Sequence, residues 1–85
     1  MQENVSASPV ELPTAEELAF ESATLFASLA FGRLAEGARD LEQARLAIEA
    51  LKALVGVLPE ERRKDLQPVV ANLQLAYASA AAPAE

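Results

Sequence analysis

The chain has 85 residues, a mass of 9.0 kDa and a formal net charge of −6, so it allows one small domain. It contains no Cys, no His and only 3 Gly. These counts exclude a disulfide scaffold, a Cys/His zinc or haem site, a nucleophile that needs a Cys or His partner, and a glycine-rich phosphate loop. We expect no cofactor and no metal.

The acidic charge is concentrated near the N-terminus, where residues 1–21 contain five Glu and neither Lys nor Arg. The rest of the chain is nearly neutral. The one basic cluster, Arg62-Arg63-Lys64, has acidic residues directly on both sides, which predicts a solvated helix face. A nucleic-acid partner is not expected, because phosphate contacts require clustered basic side chains without such neutralisation.

Three segments follow from the pattern of polar residues and prolines. Residues 1–13 are polar, carry two prolines and show no helical period, which predicts a disordered acidic arm. In an alternative interpretation, Val10 and Leu12 dock on the domain. Residues 14–79 are predicted to form a single helical domain and residues 80–85 a frayed tail, since Pro83 prevents helix continuation.

The N-terminus lacks a basic n-region, so a signal peptide is not predicted. The longest uncharged stretch of the first predicted helix runs from Ser22 to Gly32, well short of the ~20 apolar residues that span a bilayer. We therefore expect a cytoplasmic protein without a membrane span.

The first helix is predicted to begin at Thr14, because Thr14 and Glu17 have the spacing of a capping box. It should end near Ala35 or Glu36, with Gly37 as a left-handed cap. The second helix is predicted between Asp40, an N-cap residue paired with Gln43, and Gly56. Its apolar stripe repeats every three or four residues and consists of Leu41, Ala44, Ile48, Leu51 and Val55.

The third helix is predicted to start near Pro59 and to present a stripe of Leu66, Val70, Leu73, Tyr77 and Ala80. Pro68 lies inside it and cannot donate a backbone hydrogen bond, so we expect a short helix to about residue 66 and a restarted one to about Ser79. The predicted fold is all-α: three helices, or four if split at Pro68, with the long first helix packed on a helical hairpin.

The first helix is apolar over roughly 240° of its circumference, whereas a surface helix needs little more than about 100°. Leu18, Leu25 and Leu29 form one face, and an alanine ridge between Phe20 and Phe31 forms the other. The other two helices cover one face only, so we expect the alanine ridge to stay exposed in a monomer and to form a dimer interface. The predicted interface residues are Ala19, Phe20, Ala23, Phe26, Ala27, Ala30, Phe31 and Leu34.

The residues available for catalysis do not form a predicted site. Glu60 and Glu61 are adjacent on a helix and point about 100° apart, so they favour a helix-dipole role over acid–base chemistry. Tyr77 is expected in the core with its hydroxyl towards water, Asn72 on the surface, and Ser28 bonded to its own helix. We predict that the chain is not an enzyme and has no catalytic residue.

Several short motifs resemble a known family. They are Ser28-Leu29-Ala30, Asp40-Leu41-Glu42-Gln43-Ala44-Arg45, Gly56, Glu60-Glu61 and Tyr77. Together they resemble the small bacterial family catalogued as domain of unknown function eighteen-forty-four, over residues 20–77. The chain departs from that pattern at Glu49, at Val57 and at Pro68. The resemblance implies a bacterial, cytoplasmic, all-helical domain and carries no established activity.

The width of the apolar surface on the first helix predicts the function. We expect a non-catalytic interaction or structural module that forms a homodimer or homo-oligomer through this helix, giving a dimeric helical bundle. In the alternative, a different protein covers the same face and the chain is a small accessory subunit.

Overall fold

A computed structural model describes residues 12–82, which form three α-helices in chain order: α1 (Ala15–Leu34), α2 (Leu41–Gly56) and α3 (Glu60–Ala81). No strand occurs within these residues. α1 packs on the hairpin of α2 and α3, and it contacts α2 more extensively than α3. The predicted all-α class and the packing of a long first helix on a hairpin are therefore confirmed.

The predicted arm and tail lie mostly outside the described residues. Leu12 is 76% exposed, so it does not dock on the domain. Val10 lies outside the residues that the structure describes. α3 continues to Ala81, two residues past the predicted end at Ser79.

The start of α1 is fixed by the predicted capping box. The Glu17 backbone N–H donates to the Thr14 hydroxyl at 3.0 Å, and the Thr14 backbone N–H donates to the Glu17 carboxylate at 3.0 Å. Two of the four backbone donors that a helix N-terminus leaves free are thereby satisfied.

The end of α1 differs from the prediction. The helix stops at Leu34 because Ala35 turns to an extended conformation, and Gly37 does not adopt the left-handed one. Arg39 supplies the cap instead: its Nε and Nη2 donate to the Leu34 carbonyl at 3.2 and 3.0 Å. A side-chain donor thus replaces the backbone donor of a glycine cap.

α2 begins and ends as predicted. The Asp40 carboxylate accepts the Gln43 backbone N–H at 3.1 Å, and the helix ends at Gly56. In the turn that follows, Nη2 of Arg63 donates to the Leu58 carbonyl at 2.8 Å. After α1 and again after α2, an arginine therefore donates to the backbone carbonyl that lies five residues before it in the chain.

α3 is a single helix that runs through Pro68. The prediction of a break there is corrected. Pro68 is exposed, so its ring lies on the solvent side and water can reach the carbonyl that the missing N–H leaves free.

The core combines small residues of α1 with large residues of the hairpin. The largest fully buried side chains are Leu51, Leu58 and Leu73, and none of them belongs to α1. The buried hydrophobic residues are Ala19, Ala23, Ala27, Ala30, Leu34, Ala44, Ala47, Ile48, Leu51, Val55, Leu58, Leu66 and Leu73. The stripes predicted for α2 and α3 supply six of the eight buried residues outside α1, and the other stripe members are half-buried against the core.

Candidate interaction surface

The alanine ridge of α1 faces the chain's own core. The exposed fractions of Ala23 and Ala30 are 0%, and Ala19, Ala27 and Leu34 expose at most 9%. Five of the eight predicted interface residues are therefore covered inside a single molecule. The structure corrects the predicted assignment of the two faces of α1.

Packing explains why the alanine ridge of α1 is buried. Alanines let two helix backbones approach closely, and Ala44 and Ala47 of α2 are buried as well. The hairpin already provides the volume of the core through its leucines, so small side chains on α1 are what fit against them.

The three predicted phenylalanines lie at the borders of the core. Phe20 and Phe26 are half-buried and pack against it, whereas Phe31 is 47% exposed. The guanidinium carbon of Arg62 lies 4.5 Å from the ring centroid of Phe20. Phe20 is thus engaged with α3 within the monomer.

The opposite side of α1 is apolar and open to solvent. Leu18, Leu25 and Leu29 expose 52%, 66% and 40% of their surfaces. We call residues 18, 22, 25 and 29 the outer leucine face; its fourth member is Ser22. Their spacing of four, three and four residues is that of one seam of a coiled coil. The sequence predicted this surface as the second apolar face of α1. It assigned the leucine face to the core and the alanine ridge to the interface, and the structure shows the reverse burial.

A groove of about 200 Å³ is open on this face. Ser22, Leu25, Phe26 and Leu29 line it, at positions i, i+3, i+4 and i+7 of the helix. Four residues in this arrangement form the hole that receives a side chain of a facing helix in knobs-into-holes packing. The surface therefore has the shape that accepts a second helix.

Charge is unevenly distributed along α1. Glu16, Glu17 and Glu21 lie in its N-terminal half, and residues 22–34 contain one charged residue, Arg33. α1 contains neither Lys nor Arg before Arg33. The leucines are therefore bordered by negative charge at one end of the helix only.

A second cleft, of about 290 Å³, lies between α2 and α3 and is lined by Arg45, Ile48, Glu49, Gln74 and Tyr77. Its charged groups are paired along α2. Nη2 of Arg45 lies 2.7 Å from the Glu42 carboxylate, and Nζ of Lys52 lies 3.9 Å from that of Glu49. The hydrogen bond from Arg45 lowers the pKa of Glu42, and the same bond raises the pKa of Arg45. In each pair the base is bound to the acid of the same pair, so the cleft has no unpaired acid and base that point towards each other.

The remaining candidates stay apart. Glu60, Glu61, Asn72 and Ser28 are exposed, and Tyr77 is half-buried. Across residues 12–82, no three acidic side chains come together as ligands for a metal ion. The basic cluster is only partly a solvated face, because Arg62 stacks on Phe20 and Arg63 binds the Leu58 carbonyl.

Comparison with known proteins gives no assignment: no family model, no curated protein and no solved structure matches this chain. None of the three described helices combines the length and the apolar character needed to cross a membrane.

Proposed function

We propose that this chain is a non-catalytic helical interaction module that self-associates through α1. The observation that carries the proposal is the outer leucine face, where three leucines of one helix are 40–66% exposed on the side away from the core. Contiguous apolar surface of this kind marks interaction sites on small domains.

The size of the domain supports the same function. A domain of about 60 residues buries only about 60% of the surface of its unfolded chain. Neither a disulfide nor a Cys/His metal site can add stability, because the chain has no Cys and no His. Fully burying an exposed leucine side chain is worth about 1.5–3 kcal/mol. Leu18, Leu25 and Leu29 are 40–66% exposed, so association that covers them would supply the corresponding part of that free energy for each.

Sedimentation velocity over about 10 µM to 1 mM protein tests the proposal. We expect a concentration-dependent shift from 9.0 kDa to a larger species. Leu25→Glu places a charge at the centre of the outer leucine face and should abolish the shift.

Leu75→Glu is the matched control. Leu75 is 71% exposed on α3, against 66% for Leu25, so the two substitutions are alike in residue type and exposure. Association that survives in Leu75→Glu and is lost in Leu25→Glu supports the proposal. A 9.0 kDa monomer at every concentration, or equal loss in both variants, overturns it.

The second candidate is an accessory subunit whose outer leucine face binds a different protein. The same exposed leucines favour this second function. It predicts that the purified chain is a monomer and that a different protein binds it stoichiometrically and covers the outer leucine face. The resemblance of residues 20–77 to the bacterial family named above accords with either function. We propose membership of that family, and with it a bacterial, cytoplasmic origin, on those motifs alone.

A further inference from the structure

We propose that the partner of α1 is a second copy of α1 in antiparallel orientation, with the two-fold axis passing between Ser22 and Leu25. This inference rests on the proposed function and specifies its geometry. In this register Leu18 of one copy lies opposite Leu29 of the other, and Ser22 lies opposite Leu25.

The spacing of the outer leucine face is self-complementary. Positions 18, 22, 25 and 29 are separated by four, three and four residues, which reads the same in both directions along the helix. A two-fold axis at the centre therefore places every member of the face against another member in the same step. An isologous interface requires this match, because one patch serves both copies.

The one small residue of the face, Ser22, lies opposite a large one in this register. In this register Leu25 of each copy enters the space above Ser22 of the other. Leu18 of each copy enters the hole between Leu25, Ser28, Leu29 and Gly32 of the other. A Cβ atom built on Gly32 would meet nothing within 4 Å, so the space beside this residue is unoccupied on the monomer.

Charge complementarity selects the antiparallel orientation. A parallel pair would bring Glu16, Glu17 and Glu21 of both copies side by side. An antiparallel pair places each acidic half beside residues 22–34 of the other copy, which contain no acid. Their one charged residue is Arg33, whose Nη1 lies 3.9 Å from the Asp40 carboxylate of its own chain and which stays partly exposed. The antiparallel pair also opposes the two helix dipoles, so that each acidic N-terminus lies near a C-terminus.

Disulfide trapping tests the orientation directly, since the chain has no cysteine of its own. The variants are Leu18→Cys and Leu29→Cys, one of them carrying an affinity tag so that a mixed disulfide has its own mass. In the antiparallel register, two residues at position 18 are separated by about 16 Å along the axis, too far for a disulfide. Positions 18 and 29 face each other.

We expect the mixture of Leu18→Cys and Leu29→Cys to give the mixed disulfide on mild oxidation, and each variant alone to remain uncrosslinked. Circular dichroism establishes that both variants keep the helical fold. Disulfides within Leu18→Cys alone and within Leu29→Cys alone, with wild-type association intact, overturn the antiparallel orientation and leave the proposed function standing. Association without any of these disulfides overturns it as well, because another face must then be in contact. A monomer by sedimentation removes the proposed function itself.

Discussion

The guanidinium carbon of Arg62 lies 4.5 Å above the ring centroid of Phe20 and so connects α3 to α1. These two helices share less contact than α1 shares with α2 or α2 with α3. A cation–π contact at this place holds the less tightly joined side of the bundle together.

A double-mutant cycle of Phe20→Leu and Arg62→Ala should give a coupling free energy of about 0.5–1 kcal/mol, the range for a partly exposed cation–π pair. Urea unfolding at one low protein concentration measures it, because association would otherwise change the apparent stability. Arg62→Lys, which keeps the charge but not the planar group, is the control. A coupling near zero would show that the contact has no energetic role.

The packing of the alanine ridge predicts a steric effect. Ala23→Leu should lower the free energy of unfolding by about 1–3 kcal/mol, because Ala23 is 0% exposed and no space is available for a larger side chain. Ala23→Glu should cost more and unfold the domain, since the carboxylate would be buried without a partner. The control is Ala53→Leu, the same substitution at an exposed position on α2, away from the outer leucine face. If Ala23→Leu left stability unchanged but altered association, the ridge would be an external face after all.

Two leucines of α3 provide a matched test of which side of that helix is in the core. Leu73 is 0% exposed and Leu75 is 71% exposed. Leu73→Ala should cost about 2–5 kcal/mol of unfolding free energy, whereas Leu75→Ala should stay within about 0.5 kcal/mol of wild type. Chemical denaturation of both variants measures the difference. Similar losses for the two would contradict the orientation of α3.

The continuity of α3 through Pro68 can be tested by replacing the proline. Pro68→Ala restores the backbone donor to the Lys64 carbonyl and removes the ring, so we expect a gain of up to about 3 kcal/mol in unfolding free energy. Gln67→Ala, at the preceding exposed position, reports the effect of alanine alone. If the chain formed two helices that met at residue 68, Pro68→Ala would bring little gain over this control.

The pair of Glu42 and Arg45 predicts an effect of pH. Because Arg45 lowers the pKa of Glu42 below its ordinary value of 4.5, the pair's contribution to stability is fully present above that value. It is lost as the pH falls through the lowered pKa of the folded state. An NMR titration should place the Glu42 midpoint below 4.5 in the wild type and at its ordinary value in Arg45→Ala. An unchanged midpoint in the variant would show that the bond does not persist in solution.

The sequence by itself determined where the three helices begin and how α1 and α2 are capped at their N-termini. Thr14 with Glu17 and Asp40 with Gln43 are local pairs three residues apart, so their hydrogen bonds depend on no distant part of the chain. The apolar stripes of α2 and α3 could be read for the same reason, since each helix has one side that must leave water. The C-terminal caps of α1 and α2 could not be predicted from the sequence, because Arg39 and Arg63 reach back across turns whose course the tertiary structure sets.

Only the tertiary structure decided which side of α1 faces the core. Hydrophobicity ranks leucine above alanine and favours burial of Leu18, Leu25 and Leu29, but burial also requires that the volumes on both sides of a contact match. The hairpin contributes Leu51, Leu58 and Leu73, and the alanines of α1 fit against them. The periodicity of one helix records that it has two apolar faces, whereas the choice between them depends on side chains that lie elsewhere in the chain.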